Sequence, residues 1–143
     1  MYLVDTDVLN EARKQSKANP GVRDFLRNAA SSREPLYLSV VTIGEFRRGV
    51  ERIRARGENS EAVRMERWLE RILEEYPDHV LGFDSEAAQL WGALRLPRDF
   101  DTLDRQIAAT ARIHDLTLVT RRAHAWAGCG VAALDPFTLG PGG

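Results

Sequence analysis

The feature that most constrains this chain is an alternation: short runs of β-favouring residues are each followed by a stretch with helical spacing. Tyr2-Leu3-Val4 leads into a helix from about Val8 to Lys14, and Asn19-Pro20-Gly21 punctuates the chain before a second helix near Val22 to Ala30. Leu36 to Val41 reads as a second strand, and from Thr42 onward Ile43, Phe46, Val50 and Ile53 share one helix face. After a break at Gly57 to Ser60, Met65, Trp68, Leu69, Ile72, Leu73 and Tyr76 recur at helical spacing up to Pro77, so the two segments form an αα-hairpin inserted between strands. His79 to Phe83 is a third strand, followed by a helix marked by Ala87, Leu90, Trp91 and Leu94 and capped by Asp84 or Ser85. A loop from Leu96 to Asp101, a helix from Leu103 to His114 and strands at Leu116 to Val119 and Val131 to Leu134 complete the pattern. Parallel neighbours need crossover helices, so the alternation predicts an α/β fold: a three-layer α/β/α sandwich around a mainly parallel central sheet of four to five strands.

With 143 residues, 43% of them hydrophobic, the chain is expected to form a single domain over residues 1–137, followed by a flexible tail at 138–143. The formal net charge of -1 excludes a generally basic surface, so any nucleic-acid binding must be local. All but Lys14 and Lys17 of the 20 basic residues are Arg, clustered at Arg47-Arg48, Arg52 to Arg56 and Arg121-Arg122. Such clusters can hold phosphates bidentately, although most read more simply as solvated helix faces interleaved with Glu. Cys129 is the only cysteine, which excludes a disulfide framework and fits a reducing compartment. The start lacks a basic leader, and no run approaches the ~18 apolar residues of a membrane span, so a soluble, cytoplasmic protein with no membrane partner is expected. His79, His114 and His124 lack ligand spacing, and Trp68, Trp91 and Trp126 read as core or interface.

Three acids occupy equivalent places in the alternation. Asp5 ends the first strand, Glu45 sits in the first turn after the second, and Asp104 opens the helix that feeds the strand at Leu116. Ligands of parallel sheets bind outside the carboxyl ends of the strands, where Asp5 and Glu45 can converge, joined by Asp104 if its helix starts at the same edge. Clustered carboxylates raise one another's pKa unless a cation neutralises them, and all-oxygen ligation suits Mg²⁺ or Mn²⁺. A metal there would make phosphate-ester hydrolysis the natural reaction class. Each acid also has a plainer reading: Thr42 to Glu45 spells a capping box, Asp104 favours a helix N-terminus, and Glu45 projects toward Arg48 and Arg52 rather than the apolar face. Thr6 and Thr120, at strand ends, could orient water or phosphate or serve as cap residues.

The motifs also have a family likeness. Leu3-Val4-Asp5-Thr6-Asp7-Val8-Leu9 resembles the opening motif of PIN-domain proteins; Ser39 to Gly49, containing Glu45, resembles the second motif, and Asp104 to Ala111 the third. With Leu118-Val119-Thr120-Arg121 and Asp135-Pro136-Phe137, the resemblance spans nearly the whole chain and points to the VapC-like branch of ribonuclease toxins. It implies a Mg²⁺- or Mn²⁺-dependent endoribonuclease that hydrolyses RNA phosphodiester bonds, with Asp5, Glu45 and Asp104 as catalytic, metal-binding acids. It also implies a toxin–antitoxin pair, a homodimer and a small VapB-like antitoxin. Thr6, Asp7, Asp101 and Thr120 are supporting candidates, and Arg121 and Arg122 candidate phosphate contacts.

The chain departs from the pattern after Thr120-Arg121. The family usually shows Asn next and, three residues later, an Asp followed by Phe; here these are Arg122, Ala125 and Trp126. Losing the fourth acid weakens a second metal position, and Arg122 brings positive charge toward the carboxylates. Either three acids suffice, or Asp7, Asp101 or His124 substitutes, or Ala125 is an engineered inactivation; because Asn and Phe are replaced too, natural divergence is favoured. The alternative function is a catalytically weakened PIN module that binds RNA or antitoxin without cutting. A phosphatase or receiver-like phosphoacceptor ranks last, because the adjacent acid pair and late strand Lys of receivers are missing.

Overall fold

The computed structural model describes residues 1–95 and 100–138. Five strands, β1 (Tyr2–Val4), β2 (Leu36–Ser39), β3 (Val80–Leu81), β4 (Thr117–Val119) and β5 (Ala133–Leu134), form one sheet in the order β3-β2-β1-β4-β5, and every pairing is parallel. Six α-helices are described: α1 (Thr6–Ala12), α2 (Pro20–Ser31), α3 (Val40–Ala55), α4 (Asn59–Glu75), α5 (Ser85–Ala93) and α6 (Thr102–Ile113). The predicted α/β architecture, parallel sheet and αα-hairpin of α3 and α4 are all present. Residues 96–99 of the expected loop and 139–143 of the expected tail lie outside the described residues.

Successive strand residues point to opposite faces, and this alternation divides the interior in two. Val4 and Val119 pack with Val8, Phe25, Phe46, Val50, Met65 and Leu69, so α1 to α4 cover one face. Leu3 and Leu118 pack with Ile107, Ala108, Ala111 and Trp126, so α6 covers the other. The three-layer sandwich follows directly from the β1 sequence, in which Leu3 serves one core and Val4 the other.

The helix boundaries explain the main differences from expectation. Val40 and Val41, expected in a strand for their β-branched side chains, instead form the first turn of α3, because Ser39 caps it: its hydroxyl accepts the Val41 N–H at 3.0 Å. Thr42 is therefore inside the helix rather than its cap, the expected Thr42–Glu45 capping box does not form, and Glu45 lies in the second turn. Asn19 caps α2 by accepting from Gly21 and Val22 N–H, with Pro20 at the first helical position, where its missing N–H costs nothing. Asp84 caps α5 as expected, accepting the Ala87 N–H at 2.9 Å. The edge strands are shorter than predicted, two residues each in β3 and β5.

The order β3-β2-β1-β4-β5 reverses direction at β1. The chain leaves β1 into α1 on one face, whereas β4 is entered from α6 on the other. The diverging connections open a crevice beyond the carboxyl ends of β1 and β4, the topological switch point at which open parallel sheets bind ligands.

Candidate active site

The crevice is a cleft of about 300 Å³ lined by Asp5, Thr6, Asp7, Asn10, Glu45, Phe100, Asp104, Thr120 and Arg122. Asp5 follows the last residue of β1, and its N–H donates to the Val119 carbonyl at 2.9 Å, which seats it beside Thr120. Its carboxylate caps α1 by accepting the Thr6 N–H at 2.8 Å, and the residue as a whole is 9% exposed. Asp7, in the first turn of α1, accepts the Arg121 N–H at 3.0 Å on Oδ2, while its Oδ1 is buried without a partner. Glu45 reaches the crevice from α3, where its Oε1 accepts the Thr6 hydroxyl at 2.7 Å; the same hydroxyl lies 3.2 Å from that of Thr42. Asp104 enters from α6, its N–H held at 2.9 Å by the capping carboxylate of Asp101.

Crowding acids at a partly dry edge makes ionisation costly. Burial first, then the neighbouring Asp7 charge, pushes the Asp5 carboxyl up to about 7, against a smaller lowering by hydrogen bonds from Thr120 and Thr6. Burial followed by the charges of Asp101 and Glu45 pushes Asp104 up to about 6, opposed by Arg122. Asp7 is also raised, chiefly by burial. These carboxyl groups would all gain from a nearby cation.

All three primary candidates, Asp5, Glu45 and Asp104, line this cleft, as do Thr6, Asp7, Thr120 and Arg122. Asp101 acts from behind as the α6 cap, and the Arg121 guanidinium lies 3.9 Å over the Phe137 ring; neither lines the cleft. Ala125 packs against the core containing Leu3 and Trp126, and His124 also stays off the cleft wall. Two lining residues, Asn10 and Phe100, escaped sequence reasoning. Asn10 was findable, because it follows Thr6 by four and Asp7 by three on one helix face. Phe100 sits in irregular chain and carries no periodic signal.

The donor chemistry fits a hard divalent cation: carboxylate oxygens predominate, and the orphaned Asp7 Oδ1 and the raised Asp5 both call for positive charge. The spacing does not yet match. Among the described residues no three His, Cys, Asp or Glu side chains are gathered closely enough to hold one cation as they stand. Two of the acids have partners of their own: Glu45 accepts from the Thr6 hydroxyl, and Asp104 faces Arg122 in an ion pair at 3.5 Å.

A parallel sheet with an acid crevice at its switch point defines a class of α/β domains that bind their ligands beyond the carboxyl ends of the strands. Over residues 2–122 the sequence matches the PIN domain, and the chain belongs to that family. It is 30% identical to the Toxin FitB of Neisseria gonorrhoeae over 142 residues, covering 96% of this chain and 99% of that protein. It also resembles the structure of FitAB bound to an IR36 DNA fragment, at 29% identity and a TM-score of 0.77, covering 99% of each chain. A VapBC-5 structure from Mycobacterium tuberculosis, from the VapBC family of toxin–antitoxin systems, shares the fold at 21% identity and a TM-score of 0.61, covering 93% of this chain and 96% of that one. The chain is thus a PIN-domain protein closely related to VapC- and FitB-type toxins. Among the described residues no helix is long and apolar enough to cross a membrane.

Proposed function

We propose that this chain is the toxin-type member of a toxin–antitoxin pair, that its acid crevice takes RNA, and that its phosphodiesterase centre is weakened relative to a four-acid PIN site. The observation that carries the reading is the state of the three acids. Asp5, Glu45 and Asp104 converge on one cleft, yet Glu45 and Asp104 are engaged by Thr6 and Arg122, and the fourth acidic position is Ala125, off the cleft wall. Related complexes, such as FitAB, support a small antitoxin as the protein partner. The homodimer expected from the resemblance belongs to the same proposal.

The fuller reading is a Mg²⁺- or Mn²⁺-dependent endoribonuclease, supported by the same convergence and by the raised carboxyl groups of Asp5 and Asp104. When bound, the cation would supply Lewis-acid polarisation of a phosphodiester and a water of lowered pKa. Asp5, Asp104 and Glu45 would hold it, with Asp7 as a further oxygen donor. Thr6 keeps Glu45 turned into the cleft, and the buried Thr120 hydroxyl donates to Asp7 Oδ2 at 3.5 Å.

The test is cleavage of a structured RNA pool by the purified, antitoxin-free chain with Mn²⁺ or Mg²⁺, beside Asp5→Asn and Ala125→Asp variants. We expect slow cleavage that is lost in EDTA and in Asp5→Asn, and faster cleavage in Ala125→Asp. Vigorous cleavage by the native chain, unchanged in Ala125→Asp, would remove the weakened reading and leave the full nuclease. Binding of RNA without cleavage, restored by Ala125→Asp, would establish a silent module.

A further inference from the structure

Arg122 is the only cation among the described residues that line the acid cleft, and it is held there in an unusual way. Its root is fixed, because its N–H donates to the Thr120 hydroxyl at 3.3 Å. Its guanidinium lies 4.0 Å over the Phe100 ring, which stacks on Trp126 with centroids 3.8 Å apart and planes 8° from parallel. Trp126 is 2% exposed, so this three-layer stack is anchored in the core beneath α6. The charged end faces Asp104 at 3.5 Å, a loose contact between side chains that are 44% and 26% exposed. The neighbouring Arg121 is differently placed, over Phe137.

These two attachments differ in strength of commitment. A half-exposed ion pair at this distance is weak and easily exchanged, whereas a guanidinium stacked on a fixed aromatic ring keeps its place when its counter-ion changes. A divalent cation taken up by Asp5, Asp104 and Glu45 brings two positive charges to the carboxylate that Arg122 faces. A cation seated on the Asp104 oxygen that faces Arg122 competes with the guanidinium for it and repels it, so the ion pair is the attachment that loosens. Its stack on Phe100 then keeps it at the rim of the cleft with its N–H donors free, where a planar fork matches a phosphate.

We propose that Arg122 exchanges partners while it stays stacked on Phe100: it competes with a cation for Asp104 and, when the cation is taken up, turns its free N–H donors to an RNA phosphate at the rim of the cleft. The inference rests on the proposed metal-binding, RNA-binding reading of the same cleft. It gives Arg122 a role beyond that of the missing Asn: it sets how much cation the site needs and couples cation uptake to substrate grip.

The test needs no turnover. Mn²⁺ affinity is measured by calorimetry on the full chain and on Arg122→Gln and Arg122→Lys variants, with circular dichroism melts confirming that each is folded. The affinity of a short single-stranded RNA is then measured by anisotropy in EDTA and in Ca²⁺. We expect Arg122→Gln to bind Mn²⁺ roughly five-fold more tightly, the scale of an exposed ion pair, and Arg122→Lys, which keeps the charge, to stay near the native value. The gain in RNA affinity on adding Ca²⁺ should be large in the native chain and shrink in both variants, because Lys lacks the flat fork. Equal or weaker Mn²⁺ binding by Arg122→Gln would overturn the competition while leaving the metal site intact. Absence of Mn²⁺ binding in all three proteins would overturn the metal-binding reading and this inference together.

Discussion

At the scale of single residues the cleft is a set of acids kept short of positive charge. Asp5 is the extreme case, buried at the end of β1 with its carboxyl raised to about 7. Asp5→Asn keeps an oxygen to cap α1 but removes the charge. We therefore expect the cation-free variant to be more stable than the native chain at pH 8, by on the order of 1–3 kcal/mol, with the difference vanishing near pH 4, where Asp5 is neutral. Chemical denaturation at the two pH values measures this, and an unchanged midpoint at pH 8 would show that the charge costs the fold nothing. Thr6 has the opposite character. Its hydroxyl links α1 to Glu45 and Thr42 on α3, so Thr6→Val should cost about 1 kcal/mol in the same assay.

At the scale of elements, helix starts aim the site. Ser39 ends β2 and starts α3, which puts Glu45 in the second turn at the crevice, and Asp101 starts α6 and presents Asp104. Asp101 also adds negative charge beside Asp104, so its two roles can be separated. Asp101→Asn should preserve the melt and lower the Asp104 pKa as read by carboxyl NMR; Asp101→Ala should lower the pKa too but lose about 1 kcal/mol with the cap. An Asp104 pKa that stays put in both variants would assign its shift to burial and the Glu45 charge. On the other side of α3, Phe46 is fully buried against the hairpin partner α4, packed 5.6 Å from Trp68. Phe46→Ala should cost about 3–5 kcal/mol by denaturant titration.

At the scale of the whole molecule the acid cleft makes folding pH-dependent. Asp5 and Asp104 bind protons more tightly folded than unfolded, since about 7 and about 6 both exceed the ordinary value of 3.8. The folded state therefore holds more protons between about pH 4 and pH 7, and stability must fall as pH rises through that window. Cation-free protein should melt highest near the acid end of the window and lose ground up to pH 8, apart from any general acid denaturation. Mn²⁺ should flatten the slope at its alkaline end by stabilising the charged carboxylates. A melt that rises steadily from pH 5 to pH 8 without metal would contradict the raised carboxyl groups.

Much of this was legible in the chain itself, because local patterns have local causes. Alternating strand and helix periods require crossover connections, and therefore a parallel sheet with strand ends on one edge; Asp5 could be placed at that edge from its position at the end of a strand, whereas Glu45 and Asp104 were assigned to it only as members of the constellation. Helix starts were harder, since Ser39 and Thr42 are both competent caps; it is Ser39 that accepts the Val41 N–H, which puts both valines in the helix although Val40 stays exposed. What tertiary structure alone decided is who neutralises whom. Glu45 looked like a surface residue by helical periodicity, and it turns inward because the Thr6 hydroxyl, 39 residues away, donates to it. The stack of Arg122, Phe100 and Trp126 unites irregular segments without a period. Local pattern determined the sheet, the edge at which its strands end and the acids to suspect there; whether those acids meet, and the partner each carboxylate holds, depends on contacts between segments far apart in the chain, which no local pattern encodes.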